Sequence, residues 1–219
     1  MLMEIYNQLF NRYGDLNWWP AESPYEVIIG ATLTQNTNWS NVELALANFK
    51  KNITPYRVKE IDLEELKEII RPAGFYNQKA VYLKAITKWY ERYDFDVNKV
   101  KAQPLDRIRK ELLAVRGVGN ETADSILLYA FDFPTFVIDK YTQRFCQRYG
   151  IEAGKDYMSH KNYFEANLLS DRALFNNYHA LIVINAKNHC KAKPTCRDCP
   201  LEDTCGQLGF DDNGKPFLS

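Results

Sequence analysis

One carboxylate and four thiols stand out among the side chains able to do chemistry. Asp139 leaves an apolar run (Phe136, Val137, Ile138) and precedes a segment carrying Lys140 and Arg144. A fixed carboxylate stabilises positive charge beside it and can orient or deprotonate a water. The same residue is placed to cap a helix beginning at Lys140, and the capping N–H groups would keep it ionised. Cys190, Cys196, Cys199 and Cys205 read C-x5-C-x2-C-x5-C within sixteen residues. That density is a metal-site signal, and four thiolates suit zinc or an iron–sulfur cluster equally well on coordination grounds. Cys146 lies apart on an apolar helix and reads as a small core residue.

A third feature lies upstream. Gly117-Val118-Gly119 ends one apolar stretch (Leu112, Leu113, Val115) and opens another from Ala123 to Phe131. Both glycines permit positive φ, and the next helix then presents unpaired N–H groups. Such a turn can seat a phosphate through backbone alone. It is equally compatible with an ordinary αα-hairpin.

The elements that would position these groups are helical. Residues 3–14 carry a stripe of Ile5, Leu9 and Tyr13. Ser23-Pro24-Tyr25-Glu26 has capping-box spacing and opens a buried helix through Leu33. Thr34–Asn38 is a polar break before a helix striped by Val42, Ala45, Leu46 and Phe49. Further helices are expected over 62–70 and 77–90, from Pro104 into the glycine turn, beyond that turn, and around 140–149, 160–169 and 172–188. No alternating run is long enough for a strand, so the fold class is all-α.

Composition narrows the setting. A chain of 219 residues with 46% apolar and 14% aromatic residues can bury a large core. No run is long enough to span a membrane, and Glu4 stands where a signal peptide would be basic. A cytoplasmic location is expected, and in the cytosol four close cysteines do not read as disulfides. Lys plus Arg and Asp plus Glu both total 28. A nucleic-acid binder of this balance must gather its positive charge on one face. Candidates are Arg107, Arg109, Arg116, Lys140, Arg144 and Arg148, and, near the cysteines, Lys187, Lys191, Lys193 and Arg197.

The order LxxVxGVGxxTAD over Leu112–Asp124, then Val137-Ile138-Asp139, then the cysteine loop with Pro200 after its third cysteine, resembles the endonuclease III family of DNA glycosylases. The resemblance covers nearly the whole chain. It implies a two-lobed endonuclease III-like fold with a helix-hairpin-helix motif and a C-terminal iron–sulfur cluster loop. Residues 22–131 would form a six-helix lobe, residues 1–21 and 132–219 a terminal lobe, with the substrate cleft between them. It further implies catalysis by Asp139 and a 4Fe–4S cluster on the four cysteines, with zinc as the alternative. DNA would be held by Gln35, Gly117, Val118, Gly119, Glu121, Thr122 and Lys140, with Gln35 filling the hole left by an extruded base. The partner would be double-stranded DNA containing a damaged base, bound by a monomer. The family's usual first cysteine gap is six residues, and this chain has five.

Glu121 separates two reactions. Members that also nick the strand carry a nucleophilic Lys at this position, two residues after the second hairpin glycine. A carboxylate cannot form a Schiff base, and Glu121 also suits a helix N-terminus on charge alone. The expectation is a monofunctional glycosylase. The alternatives are a bifunctional glycosylase and lyase on oxidised pyrimidines, with Lys140 as a replacement amine, or a non-catalytic iron–sulfur DNA-binding protein. Trp18-Trp19-Pro20, the LTQNT segment, Trp39, Glu121 and Asp139-Lys140-Tyr141 together resemble the endonuclease III-type 3-methyladenine DNA glycosylases. In that subgroup Trp18, Trp19, Pro20 and Trp39 would form the base pocket. A cationic alkylated purine is attracted to an indole face by roughly 0.5 to 2 kcal/mol and leaves without prior protonation. Trp18 and Trp19 would otherwise be plain core, and Asp124, inside the hairpin's second helix, reads as capping or structural.

Overall fold

A computed structural model describes residues 1–50 and 52–207. Residues 208–219, assigned above to the terminal lobe, lie outside the described residues. Among the described residues the chain is helical throughout, with no strand. It divides into two compact units: Trp19–Phe133, and Met1–Trp18 with the chain from Pro134 onward.

Helix α1 (Leu2–Tyr13) belongs to the terminal unit. The continuous unit holds α2 (Pro24–Leu33), α3 (Trp39–Asn48), α4 (Pro55–Glu60), α5 (Leu63–Ile70), α6 (Tyr76–Glu91), α7 (Val97–Lys101), α8 (Leu105–Leu113) and α9 (Asn120–Tyr129), with a 3-10 turn at Arg71–Ala73. The terminal unit resumes with α10 (Lys140–Tyr149), α11 (Tyr157–Asn167) and α12 (Arg172–Asn188). Among the described residues the continuous unit thus has eight α-helices where six were expected. The two extra ones, α4 and α7, have 6 and 5 residues, too few to show a periodic stripe. Their caps were readable instead: Thr54 accepts from Arg57 N, and Asp96 from Asn98 N.

Helix α2 is the centre of the continuous unit. It is apolar on every side, and every residue but its first and third is buried. It packs on α6 and α9. The Tyr25 and Thr87 hydroxyls pair within this core at 2.6 Å. Buried Lys79 donates to the Leu33 and Ala73 carbonyls at 2.8 and 2.7 Å, which satisfies the C-terminal end of α2. Burial pushes its ammonium down to about 8.

In the terminal unit α12 packs on both α1 and α10. Phe136 stacks on Phe164 with centroids 4.3 Å apart and meets Phe175 and Tyr178 edge-on. The strand-free segment before Asp139 is held by a partly buried polar clamp. Lys161 donates to Thr135 Oγ1 at 2.6 Å and pairs with Glu165, whose Oε1 accepts Phe136 N at 2.8 Å.

Candidate active site and helix-hairpin-helix

Asp139 is the N-cap of α10, as expected from its place in the sequence. Its Oδ1 accepts from Thr142 N at 2.7 Å and from Thr142 Oγ1 at 2.9 Å. Its Oδ2 lies 3.5 Å from His179 Nε2, on α12, and the carboxyl side chain is 14% exposed. Burial by itself would raise this carboxyl. The neighbouring His179, and then the Thr142 N–H and hydroxyl, outweigh it and hold the group below the usual carboxylate range. Asp139 is therefore an ionised, oriented, largely buried acid at neutral pH. Its neighbour His179 was missed by sequence reasoning, because no spacing rule joins residues forty positions apart. Lys140 is exposed at the first turn of α10.

The hairpin is α8, the Gly117-Val118-Gly119 turn and α9. Gly117 has φ +87°, and a Cβ there would fall 2.2 Å from the Tyr82 ring. Gly119 does not use positive φ as anticipated: it is extended (φ −97°, ψ −177°) at the N-cap of α9. A Cβ at Gly119 would meet nothing within 4 Å. Having no side chain, Gly119 gives α9 no side-chain cap, so no capping group at that residue occupies the first-turn N–H groups of this helix. Val118 is buried, as is Thr122, while Glu121 is exposed.

Gln35 is committed to this turn. Its Nε2 donates to the Gly117 carbonyl at 2.8 Å and to Thr122 Oγ1 at 3.0 Å. Arg109, read from sequence as a candidate phosphate contact, is a brace instead. It grips fully buried Asp124 through both oxygens at 2.8 and 3.0 Å and reaches Asn120 Oδ1 at 2.9 Å. The structural reading of Asp124 is the one observed. Arg107 pairs with Glu111 on its own helix at 3.2 Å, while Arg116 is exposed.

The tryptophans fall in different units. Half-buried Trp18 lies in the terminal unit with the Lys187 ammonium 5.6 Å from its ring centroid. Trp19, Trp39 and exposed Pro20 belong to the continuous unit. The Trp19 and Trp39 rings meet edge to face, 5.2 Å apart at 88°, and Trp39 Nε1 donates to Glu43 at 2.9 Å. Gly30 of α2 floors the pair: a Cβ there would touch both rings at 3.4–3.5 Å.

The four loop cysteines are free thiols. Burial and the neighbouring cysteines raise Cys196. Burial raises Cys199 and Cys205 as well, and the other loop cysteines add to both. Arg148 NH1 donates to Cys190 Sγ at 3.2 Å, Gln207 N to Cys205 Sγ at 3.5 Å, and the Asn185 amide lies 3.7 Å from Cys199 Sγ. Arg148 also reaches the Lys191 and Ala192 carbonyls, and Arg144 Nε the Cys190 carbonyl at 2.7 Å. Both arginines thus secure the cysteine loop from α10. That engagement replaces the phosphate-contact role considered for them above. Among the described residues no group of three or more His, Cys, Asp and Glu side chains is arranged to hold a metal ion. The donor set itself suits a cluster: four soft thiols on one loop, with N–H donors directed at the sulfurs. Cys146 is buried in the core, its thiol pushed up to about 12.

Residues 29–168 match the HhH-GPD superfamily of base excision DNA repair proteins. A Methanocaldococcus jannaschii protein provisionally named a DNA repair glycosylase is 47% identical over 94% of this chain and 96% of its own. Endonuclease III of Sulfolobus acidocaldarius is 30% identical over 83% of this chain and 81% of its own. The Helicobacter pylori 3-methyladenine DNA glycosylase bound to 1,N6-ethenoadenine superposes with a TM-score of 0.69 at 29% identity, over 85% of this chain and 95% of that one. A trapped endonuclease III–DNA covalent intermediate shares the fold, with a TM-score of 0.79 at 24% identity over 94% and 96%. The buried ionised aspartate, the glycine hairpin and these matches agree: the chain belongs to the HhH-GPD superfamily of base excision repair proteins and is an endonuclease III-like DNA N-glycosylase.

Proposed function

We propose that the protein is a monofunctional glycosylase that hydrolyses the N-glycosidic bond of alkylated purines of the 3-methyladenine type. The observation that carries this reading is a largely buried Asp139 held by Thr142 at the cap of α10, in a chain that has Glu121 at the position where the lyases place an amine. Departure of the base leaves positive charge on the sugar. Asp139, fixed by Thr142 and His179, stabilises that charge and orients the attacking water. A base that is already cationic needs no acid to leave, so one carboxylate suffices. The Helicobacter pylori relative, named for 3-methyladenine, supports this substrate class.

The lesion would be drawn out of the duplex and tested against indole faces. Because Trp19 and Trp39 stand at 88°, a base can lie flat on one ring, and a sandwich between them requires one ring to turn. Trp18 and Pro20 flank Trp19 in the sequence. In this reading the α9 N–H groups at Gly119 and the exposed Glu121 meet DNA from the continuous unit, and exposed Lys140 meets it from the terminal unit. Gln35 can fill the vacated base position only by giving up its bonds to Gly117 and Thr122. Cys190, Cys196, Cys199 and Cys205 would hold a 4Fe–4S cluster whose part is to shape the Lys191–Thr195 loop. Brown colour with iron and sulfide in the purified protein supports that assignment; colourless protein with stoichiometric zinc rejects it.

The endonuclease III relatives favour a second reading, a glycosylase that also cleaves the strand. Duplexes carrying alkylated, oxidised or deaminated bases, each read with and without alkali, decide between the two. Strand breaks that appear only after alkali, on the alkylated duplex, support the proposal. Breaks without alkali, or a borohydride-trapped covalent adduct, reject it.

A further inference from the structure

The two oxygens of Asp139 have different surroundings. Oδ1 takes both Thr142 donors and is thereby occupied in capping α10. Oδ2 is the oxygen that the cap leaves for chemistry, and His179 Nε2 lies 3.5 Å from it. His179 is 5% exposed, and it projects from α12, a helix packed directly on α10. We propose that His179 is a positioning residue for base excision, its Nε2–H fixing the direction in which Asp139 Oδ2 points. The proposal rests on the catalytic reading of Asp139 given above.

The physical logic is that a buried carboxylate with one oxygen tied down still has a lone-pair direction to specify. A donor from a second helix specifies it and offsets part of the cost of burial. His179 bears on Asp139 from α12; the first turn of α10 contributes the uncharged Thr142 hydroxyl and N–H, and carries the exposed cation Lys140 directly after Asp139. With the His179 donor removed, burial has less opposing it. Asp139 would then take up its proton at higher pH. A histidine that merely fills space between α10 and α12 would leave that titration unmoved.

Two variants of the full chain separate these possibilities: His179→Leu keeps volume without a donor, and His179→Gln keeps a donor without a titrating ring. The first readout is the Asp139 Cγ titration by NMR on protein labelled with 13C-aspartate. The second is the single-turnover excision rate against pH, on whichever duplex the wild-type protein cuts. For His179→Leu the Asp139 midpoint should rise by about one pH unit or more. Its excision rate should fall about 10- to 100-fold, with the acid limb of the profile moved upward. His179→Gln should recover most of the rate and most of the midpoint.

A folded His179→Leu protein with unchanged midpoint and rate overturns the proposal, and so does a His179→Gln protein as impaired as the Leu variant. If His179→Leu does not melt cooperatively, His179→Met takes its place as the variant without a donor: a raised midpoint that His179→Gln restores supports the role, and an unmoved one rejects it. Asp139→Asn distinguishes this claim from the one beneath it. Excision retained in Asp139→Asn would reject the catalytic reading, whereas the NMR titration would still report whether His179 controls the acid.

Discussion

At Asp139 burial and hydrogen bonding act in opposite directions, and the hydrogen bonds prevail. The sign has a consequence for stability. A carboxyl whose folded value is depressed adds stability that is fully present above its unfolded value and is lost as pH falls through the folded value. Asp139→Asn keeps an oxygen for the α10 cap, so at neutral pH its stability should change by about 1 kcal/mol or less. Excision should fall at least about 100-fold. Below roughly pH 4 the wild-type protein loses the ionic part of its advantage, so the melting curves of wild type and variant should converge there. A stability gap that stays constant from neutral into acid pH would show that these contacts do not hold the acid ionised. Asp139 was legible from the sequence because its context is local: an apolar run, then a capped helix. His179 was not, because its partnership is made by the packing of α12 on α10, which no short-range pattern encodes.

The hairpin shows the same contrast at the scale of an element. Two glycines with one apparent purpose turn out to have different ones. Gly117→Ala must place a side chain at φ +87° and into the Tyr82 ring. The backbone strain alone costs about 1–2 kcal/mol, and the clash adds to it. Gly119→Ala meets no atom and has an ordinary backbone, so its melting temperature should match the wild type. Its DNA affinity should nevertheless fall about tenfold, because the new methyl group stands where a phosphate would approach the α9 N–H groups. Equal melting with equal affinity would remove this turn from the DNA interface. The Arg109–Asp124 pair is a second test of the element. Arg109→Met leaves a charge fully buried and should cost about 3–5 kcal/mol in urea unfolding, and adding Asp124→Leu should return much of it. Long helices, their caps and the turn could be read directly, since each is encoded by neighbours in sequence. The tie from Gln35 to the hairpin and the brace from Arg109 could not, since both depend on side chains meeting across helices. Short α4 and α7 escaped because periodicity needs more than one turn to appear.

For the molecule as a whole, charge sets the terms on which DNA can be held. With 28 basic and 28 acidic residues there is no general attraction, so affinity must come from a few placed cations and backbone donors. Several arginines that sequence offered for this purpose are already employed: Arg109 in the hairpin, Arg144 and Arg148 at the cysteine loop. Lys187, Lys191, Lys193 and Arg197 are exposed, three of them within the cysteine loop. If that loop meets the phosphate backbone, the double variant Lys191→Glu/Lys193→Glu should lower the slope of log affinity against log salt by about one for each phosphate that is no longer neutralised. The effect on catalysis should be confined to the encounter: kcat/KM falls, while the single-turnover rate at saturating protein stays at the wild-type value. An unchanged salt slope would move the DNA-binding face elsewhere. A drop in the saturated rate as well would mean that the loop reaches the chemistry through more than its hold on the phosphates.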